Sequence, residues 1–125
     1  MIAVDQTRFG EGQGNCLAAA IASVLEVGLE EIPDLNAGSL PQLVVLNEWL
    51  RSRGLQFTWL PWPTYIGTYQ DFYLVSGLSP RGLSHAIVAN HRGEMAHDPH
   101  PSRAGIGDPE ECGVFIAINP ERYRS

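Results

Sequence analysis

The chain contains no lysine: its eight basic residues are all arginines, set against fourteen acidic ones, for a formal net charge of −6 over 125 residues. The arginines stand singly and build no basic stripe, which argues against a nucleic-acid partner. No stretch approaches the run of about eighteen apolar residues that a membrane span needs, so no membrane association is expected. The opening "MIAVDQTRFG" lacks the charged-then-apolar order of a signal peptide, which predicts a cytoplasmic protein. Cysteine is scarce too. Cys16 and Cys112 are the two thiols; they would pair only in an oxidising compartment and are expected free in the cytosol. Neither Cys-x-x-Cys nor His-Glu-x-x-His occurs, so no metal and no cofactor is expected. There is no repeat, linker or low-complexity segment. With 44% hydrophobic and 18% charged residues, the composition is that of an ordinary globular chain. Its length suits one domain spanning 1–125.

Along the chain, "GEGQG" is a loop, because three glycines in five residues oppose both helix and strand. Asn15 then reads as an N-cap with Cys16 at the first helical position. Leu17, Ile21, Val24 and Leu25 recur at helical spacing and are expected to face the core. The intervening alanines make the helix narrow enough for close packing, and Gly28 ends it. "LEEIPDL" predicts a single short turn, its acidic residues a solvated face. Ser39 and Gln42 have capping-box spacing before "PQLVVLNEWLRSR", a second helix that stops at Gly54. From there the pattern turns to strand: "LQFTWL", "DFYLVSG", "SHAIVAN", "EMAHD" and "GVFIAIN" are short and rich in β-branched or aromatic residues. Two helices followed by about five strands describe an α+β domain, with N-terminal helices packed on a mostly antiparallel sheet.

A thiol at the start of a helix raises a chemical question. Thiolate is the nucleophile, and an ordinary thiol with pKa near ~8.5 is mostly protonated at neutral pH. Free backbone N–H groups and the macrodipole at a helix N-terminus stabilise the anion, and a nearby imidazole can take the proton. Taken alone, a cysteine is more often a small buried hydrophobe. The sequence offers His85, His91, His97 and His100 as partners. "SHAIVANHRGEMAHDPHPS" reads as a hairpin turning near "NHRG". A two- or four-residue loop sets His85 opposite Asp98, with Cβ atoms roughly 5 Å apart. Gly93 equally suits a three-residue loop with a glycine bulge, which moves Asp98 to the other face unless a second bulge restores it. On a strand His97 and Asp98 point to opposite faces, which argues against their sharing one metal ion. Cys112 is expected to open an apolar strand as a core residue.

The ordered set of Gln, then Gly-Asn-Cys opening an Ala-rich helix, then "HAIV" on a strand, then "HDPHPS", resembles the papain-fold cysteine peptidases. The likeness is greatest to the branch that processes bacteriocin leader peptides and to similar small bacterial and phage proteins. It spans Gln6 to about Gly105. The resemblance implies a papain-like fold and a triad of Cys16, His85 and Asp98, with a glutamine upstream of the cysteine in the oxyanion hole. That glutamine stands farther from the cysteine here than is usual in the family. Gln6 is favoured for the role, with Gln13 as the alternative.

Asn15, Trp62 and Arg81 are the candidate substrate-binding residues. "PWPTYIGTY" and "GLSPRG" would rim a cleft, although Trp59, Trp62, Tyr65 and Tyr69 would serve equally as cover for the sheet. The expected activity is thiol-dependent cleavage or transfer at an amide, isopeptide or thioester carbonyl, with a peptide or protein substrate. The competing expectation is a non-catalytic papain-fold binding module that holds a peptide or protein in the same cleft.

Overall fold

The computed structural model describes residues 1–10, 13–62 and 71–118. Two α-helices, α1 (Cys16–Leu25) and α2 (Gln42–Arg51), are separated by a 3₁₀ turn over Leu29–Glu31. Five strands follow: β1 (Leu55–Pro61), β2 (Phe72–Leu78), β3 (Ser84–Asn90), β4 (Met95–His97) and β5 (Pro109–Ala117). They form one sheet in the order β1-β5-β2-β3-β4, every pair antiparallel. The protein is α+β.

Several boundaries differ from those expected, each for a local reason. Asn15 holds the N-cap position of α1 without its side chain capping the helix. The helix ends at Glu26, which adopts a left-handed conformation and donates its N–H to Ala22 O, two residues before Gly28. Helix α2 begins at Gln42, not at Ser39. Pro41 precedes it in an extended conformation and disfavours helical geometry at Leu40, so the Ser39–Gln42 box never forms. Strand β5 starts at Pro109, earlier than the apolar pattern indicates, and Cys112 lies inside it. The polar "PEE" segment is exposed, so alternation gives no sign that it belongs to a strand.

The sheet separates two apolar clusters. On the helical side Ile21, Leu46, Leu50, Phe57, Leu74 and Val88 are buried together. On the other face Tyr73, Val75, Ile87, Ala89, Cys112 and Val114 form the second cluster. Helix α1 turns its small residues inward: Ala18, Ala19, Ala20, Ile21, Ala22 and Ser23 are all buried, whereas Leu17, Val24 and Leu25 are half-buried. An alanine face lets a helix lie close to the sheet, and it sets the first turn of α1 beside β3. At Gly113 the packing is equally tight, because a Cβ there would meet the Phe57 ring at 2.3 Å and Trp59 at 2.9 Å.

The β3–β4 hairpin has the three-residue loop His91–Gly93. Glu94 O accepts from Asn90 N, and Gly93 adopts φ +81°. That loop alone would set Asp98 on the face opposite His85. A second irregularity between Val88 and Ala89 shifts the register so that Val88 faces His97, and it returns Asp98 to the His85 side. The direct opposition of His85 and Asp98 expected from a two- or four-residue loop does not occur; two successive bulges bring them together instead.

Candidate active site

Cys16 is the first residue of α1. Its sulfur lies within the influence of the His85 imidazole and of the backbone N–H groups of Ala86 and Leu17, all of which favour the thiolate. Burial pushes the thiol up, but these interactions outweigh it, so the pKa lies below its ordinary value of 9.0. No acidic side chain in the first turn opposes the anion. Strand β4 pairs with β3 only at Val88 and Ala89, which leaves the Ala86 N–H beyond that pairing for the sulfur.

His85 is buried on β3, and its Nε2 lies 2.6 Å from Asp98 Oδ1. Burial disfavours the imidazolium, yet the hydrogen bonds and charges of Cys16 and Asp98 raise His85 above 6.5. Asp98 is 1% exposed, just past β4. Burial pushes its carboxyl up; His85 and the backbone N–H groups of His100 (2.9 Å) and Gly105 (2.7 Å) hold it below 3.8. Both carboxylate oxygens accept, so Nε2 of His85 carries a proton and Nδ1 is left for the thiol.

Gln6 reaches the same cleft on an N-terminal arm. The arm is tied down by Val4 N to Ser23 Oγ (2.9 Å), Gln6 N to Pro99 O (3.0 Å) and His97 Nε2 to Val4 O (2.9 Å). One amide proton of Gln6 goes to Arg8 O (2.9 Å); Oε1 is buried and has no partner among the described residues. Gln13 is exposed and outside the cleft. The cleft encloses about 720 Å³ and brings Gln6, Cys16, His85, His100, Arg81 and Trp59 together.

Arg81 is on the cleft rim and donates to Ser102 Oγ (3.2 Å). Asn15 borders a neighbouring cavity of about 480 Å³. Its Oδ1 accepts the N–H groups of Thr7 and Arg8 and its Nδ2 donates to Thr7 Oγ1, all at 2.9 Å. Asn15 therefore clamps the arm that carries Gln6. Trp62 packs against the second apolar cluster, away from the cleft. Tyr65 and Tyr69 lie outside the described residues. Cys16 and Cys112 are both free thiols, and Cys112 Sγ donates to Leu60 O at 3.6 Å.

Arg103 and Gly105 contribute without any sequence signal, and His100 contributes in a role that the sequence does not assign. Arg103 makes a bidentate pair with Asp5 (2.6 and 2.9 Å) and donates to the Asp98 carbonyl, joining the arm to the Asp98 loop. Gly105 supplies an N–H to Asp98. His100 accepts Ser102 N–H at Nδ1 (3.0 Å) and stands edge-on to His85 at 6.3 Å. Burial and Arg81 lower its pKa, which favours the neutral ring. Among the described residues no helix is long and apolar enough to cross a membrane.

No protein-family model, curated protein or solved structure matches this chain. The site itself offers a helix-start thiol of lowered pKa, an imidazole that interacts with it, and a buried carboxylate that fixes the imidazole.

Proposed function

We propose that the protein is a thiol-dependent hydrolase or acyl transferase of papain-like type, acting on an amide, isopeptide or thioester carbonyl through Cys16, His85 and Asp98. The observation that carries this reading is the buried 2.6 Å hydrogen bond of His85 Nε2 to Asp98 Oδ1, on an imidazole whose interaction with Cys16 favours the thiolate. The same three residues carry the sequence resemblance to papain-fold peptidases.

In the proposed reaction His85 Nδ1 takes the thiol proton and the Cys16 thiolate attacks the carbonyl carbon. Asp98 holds the ring in the tautomer that permits this and stabilises the imidazolium that forms. The Cys16 N–H, one of the unpaired donors of a helix N-terminus, and the second amide proton of Gln6 face the developing oxyanion. Imidazolium then protonates the leaving group, leaving an acyl-thioester on Cys16. Attack by water completes hydrolysis; attack by an amine completes transfer.

The test is the pH dependence of Cys16 alkylation by iodoacetamide in a Cys112→Ser background. The expected profile has its midpoint below 9.0 and moves up in His85→Ala. An unshifted midpoint, indifferent to His85, would overturn the mechanism and favour a cleft that binds without reacting.

A further inference from the structure

Resting on the proposed function, we infer that Glu111 is a specificity-determining residue that selects substrates with a cationic side chain, arginine or lysine, adjacent to the scissile bond.

Ala86 on β3 faces Ser76 on β2, Ser76 faces Glu111 on β5, and Glu111 faces Pro61 on β1. One row therefore crosses the sheet from the backbone N–H that favours the Cys16 thiolate to the carboxylate of Glu111. Two strand spacings separate its ends, roughly 10 Å. An extended arginine or lysine side chain on a residue flanking the attacked carbonyl bridges that span.

The far end of the row is built for a cation. Glu111 lines the cleft, is exposed, and makes no ion pair among the described residues. Trp59 lines the same cleft and lies against Gly113, the same-face neighbour of Glu111. A carboxylate beside an indole face is a receptor for guanidinium or ammonium. Arg81, which also lines the cleft, donates to Ser102 Oγ and makes no ion pair with Glu111 among the described residues.

Two further groups show that this cleft awaits a polar occupant. Ser79 Oγ and Gln6 Oε1 line it in residues 4% and 7% exposed, and neither atom has a partner among the described residues. Unpaired buried polar atoms are costly, about 1–3 kcal/mol each. A peptide supplies amide N–H and C=O groups that satisfy both atoms.

The experiment uses bromoacetyl dipeptide amides carrying arginine, norleucine or glutamate, which alkylate Cys16 without requiring turnover. Rates are measured in the Cys112→Ser protein and divided by the iodoacetamide rate of the same variant. The expected arginine-to-glutamate ratio is about tenfold or more, collapses toward unity in Glu111→Gln, and inverts in Glu111→Arg. Glu48→Gln on α2, which removes the same charge far from the cleft, leaves the ratio in place and so separates the local carboxylate from the overall charge of −6. A ratio near unity in the parent protein, or one as sensitive to Glu48 as to Glu111, would overturn the inference. Titration of Cys16→Ala with the unreactive acetyl peptides reads the same selectivity as binding. Selective binding with an unreactive Cys16 would thus sink the hydrolase reading while leaving the cationic subsite standing. A reactive thiol without selectivity would do the reverse.

Discussion

At the scale of single residues, the site depends on how Asp98 is satisfied. Its two oxygens accept three hydrogen bonds, from His85 Nε2, His100 N and Gly105 N, and its carboxyl is held below 3.8 while His85 is raised above 6.5. Asp98→Asn must turn an NH₂ group toward either His85 or the Gly105 N–H, because no arrangement of an amide accepts at both oxygens. The Gly105 N–H loses its acceptor in one orientation and the donors at Oδ1, His85 and His100 N, lose theirs in the other, at a cost of about 1–3 kcal/mol for each orphaned group. The sign of the pH dependence follows from the lowered pKa. Stability contributed by Asp98 is fully present above its unfolded value and is lost as pH falls through the folded one, so the window lies below 3.8. His85 runs oppositely: its contribution is complete below 6.5 and is lost as pH rises through its higher folded value. Urea unfolding should show wild type more stable than Asp98→Asn at pH 7, with the gap closing in acid below 3.8. A gap independent of pH would mean that the carboxylate charge plays no part. Turnover should fall about 10²-fold to 10⁴-fold, the range general acid–base catalysis supplies, and by less than in His85→Ala, which removes the base outright.

At the scale of elements, the N-terminal arm is the part that sequence reasoning least anticipates. Asn15 reads as a helix cap because Asn before a helical run usually is one. The structure directs its side chain back to Thr7 and Arg8, so the same residue now fixes the position of Gln6. Asn15→Ala should therefore lower turnover about 10²-fold, comparable to loss of an oxyanion donor, while iodoacetamide still alkylates Cys16 with a lowered midpoint. Asn15→Asp keeps the Oδ1 acceptor and should recover most of the rate. If Asn15→Ala shifts the thiol profile instead, the clamp acts on α1 and not on the arm. The two helices and five strands were legible because periodicity of 3.6 and of 2 reports them directly. The meeting of His85 with Asp98 was half legible: Gly93 announced the three-residue loop, but nothing in "AIVAN" announces the irregularity at Val88/Ala89 that restores the face. The Asp5–Arg103 pair was invisible, since two charges at opposite ends of a chain carry no spacing signal.

At the scale of the whole molecule, the site is assembled from separate layers: Cys16 from the helical layer, His85 from the sheet, Asp98 from the loop beyond β4. Cys16 and His85 lie on different elements, so how closely α1 rests on β3 sets whether the thiol can meet the imidazole. That distance is fixed by side-chain size, because Ala19, Ala20 and Ala22 are 0% exposed beneath the helix. Interiors this dense do not absorb added methylenes; they shift or strain, typically by about 1–3 kcal/mol. Ala20→Leu should accordingly lift α1 from the sheet by enough to part Cys16 from His85. Circular dichroism should report the helices and sheet intact, and the loss of stability should be modest. The thiol, deprived of its imidazole and of the Ala86 N–H, should return toward its ordinary pKa, so the alkylation midpoint moves up toward 9.0. Ala20→Gly removes volume instead and should destabilise the helix by about 1 kcal/mol without moving the midpoint. If Ala20→Leu keeps the parental midpoint, the Cys16–His85 contact is held by its own hydrogen bonds and not by the packing beneath it.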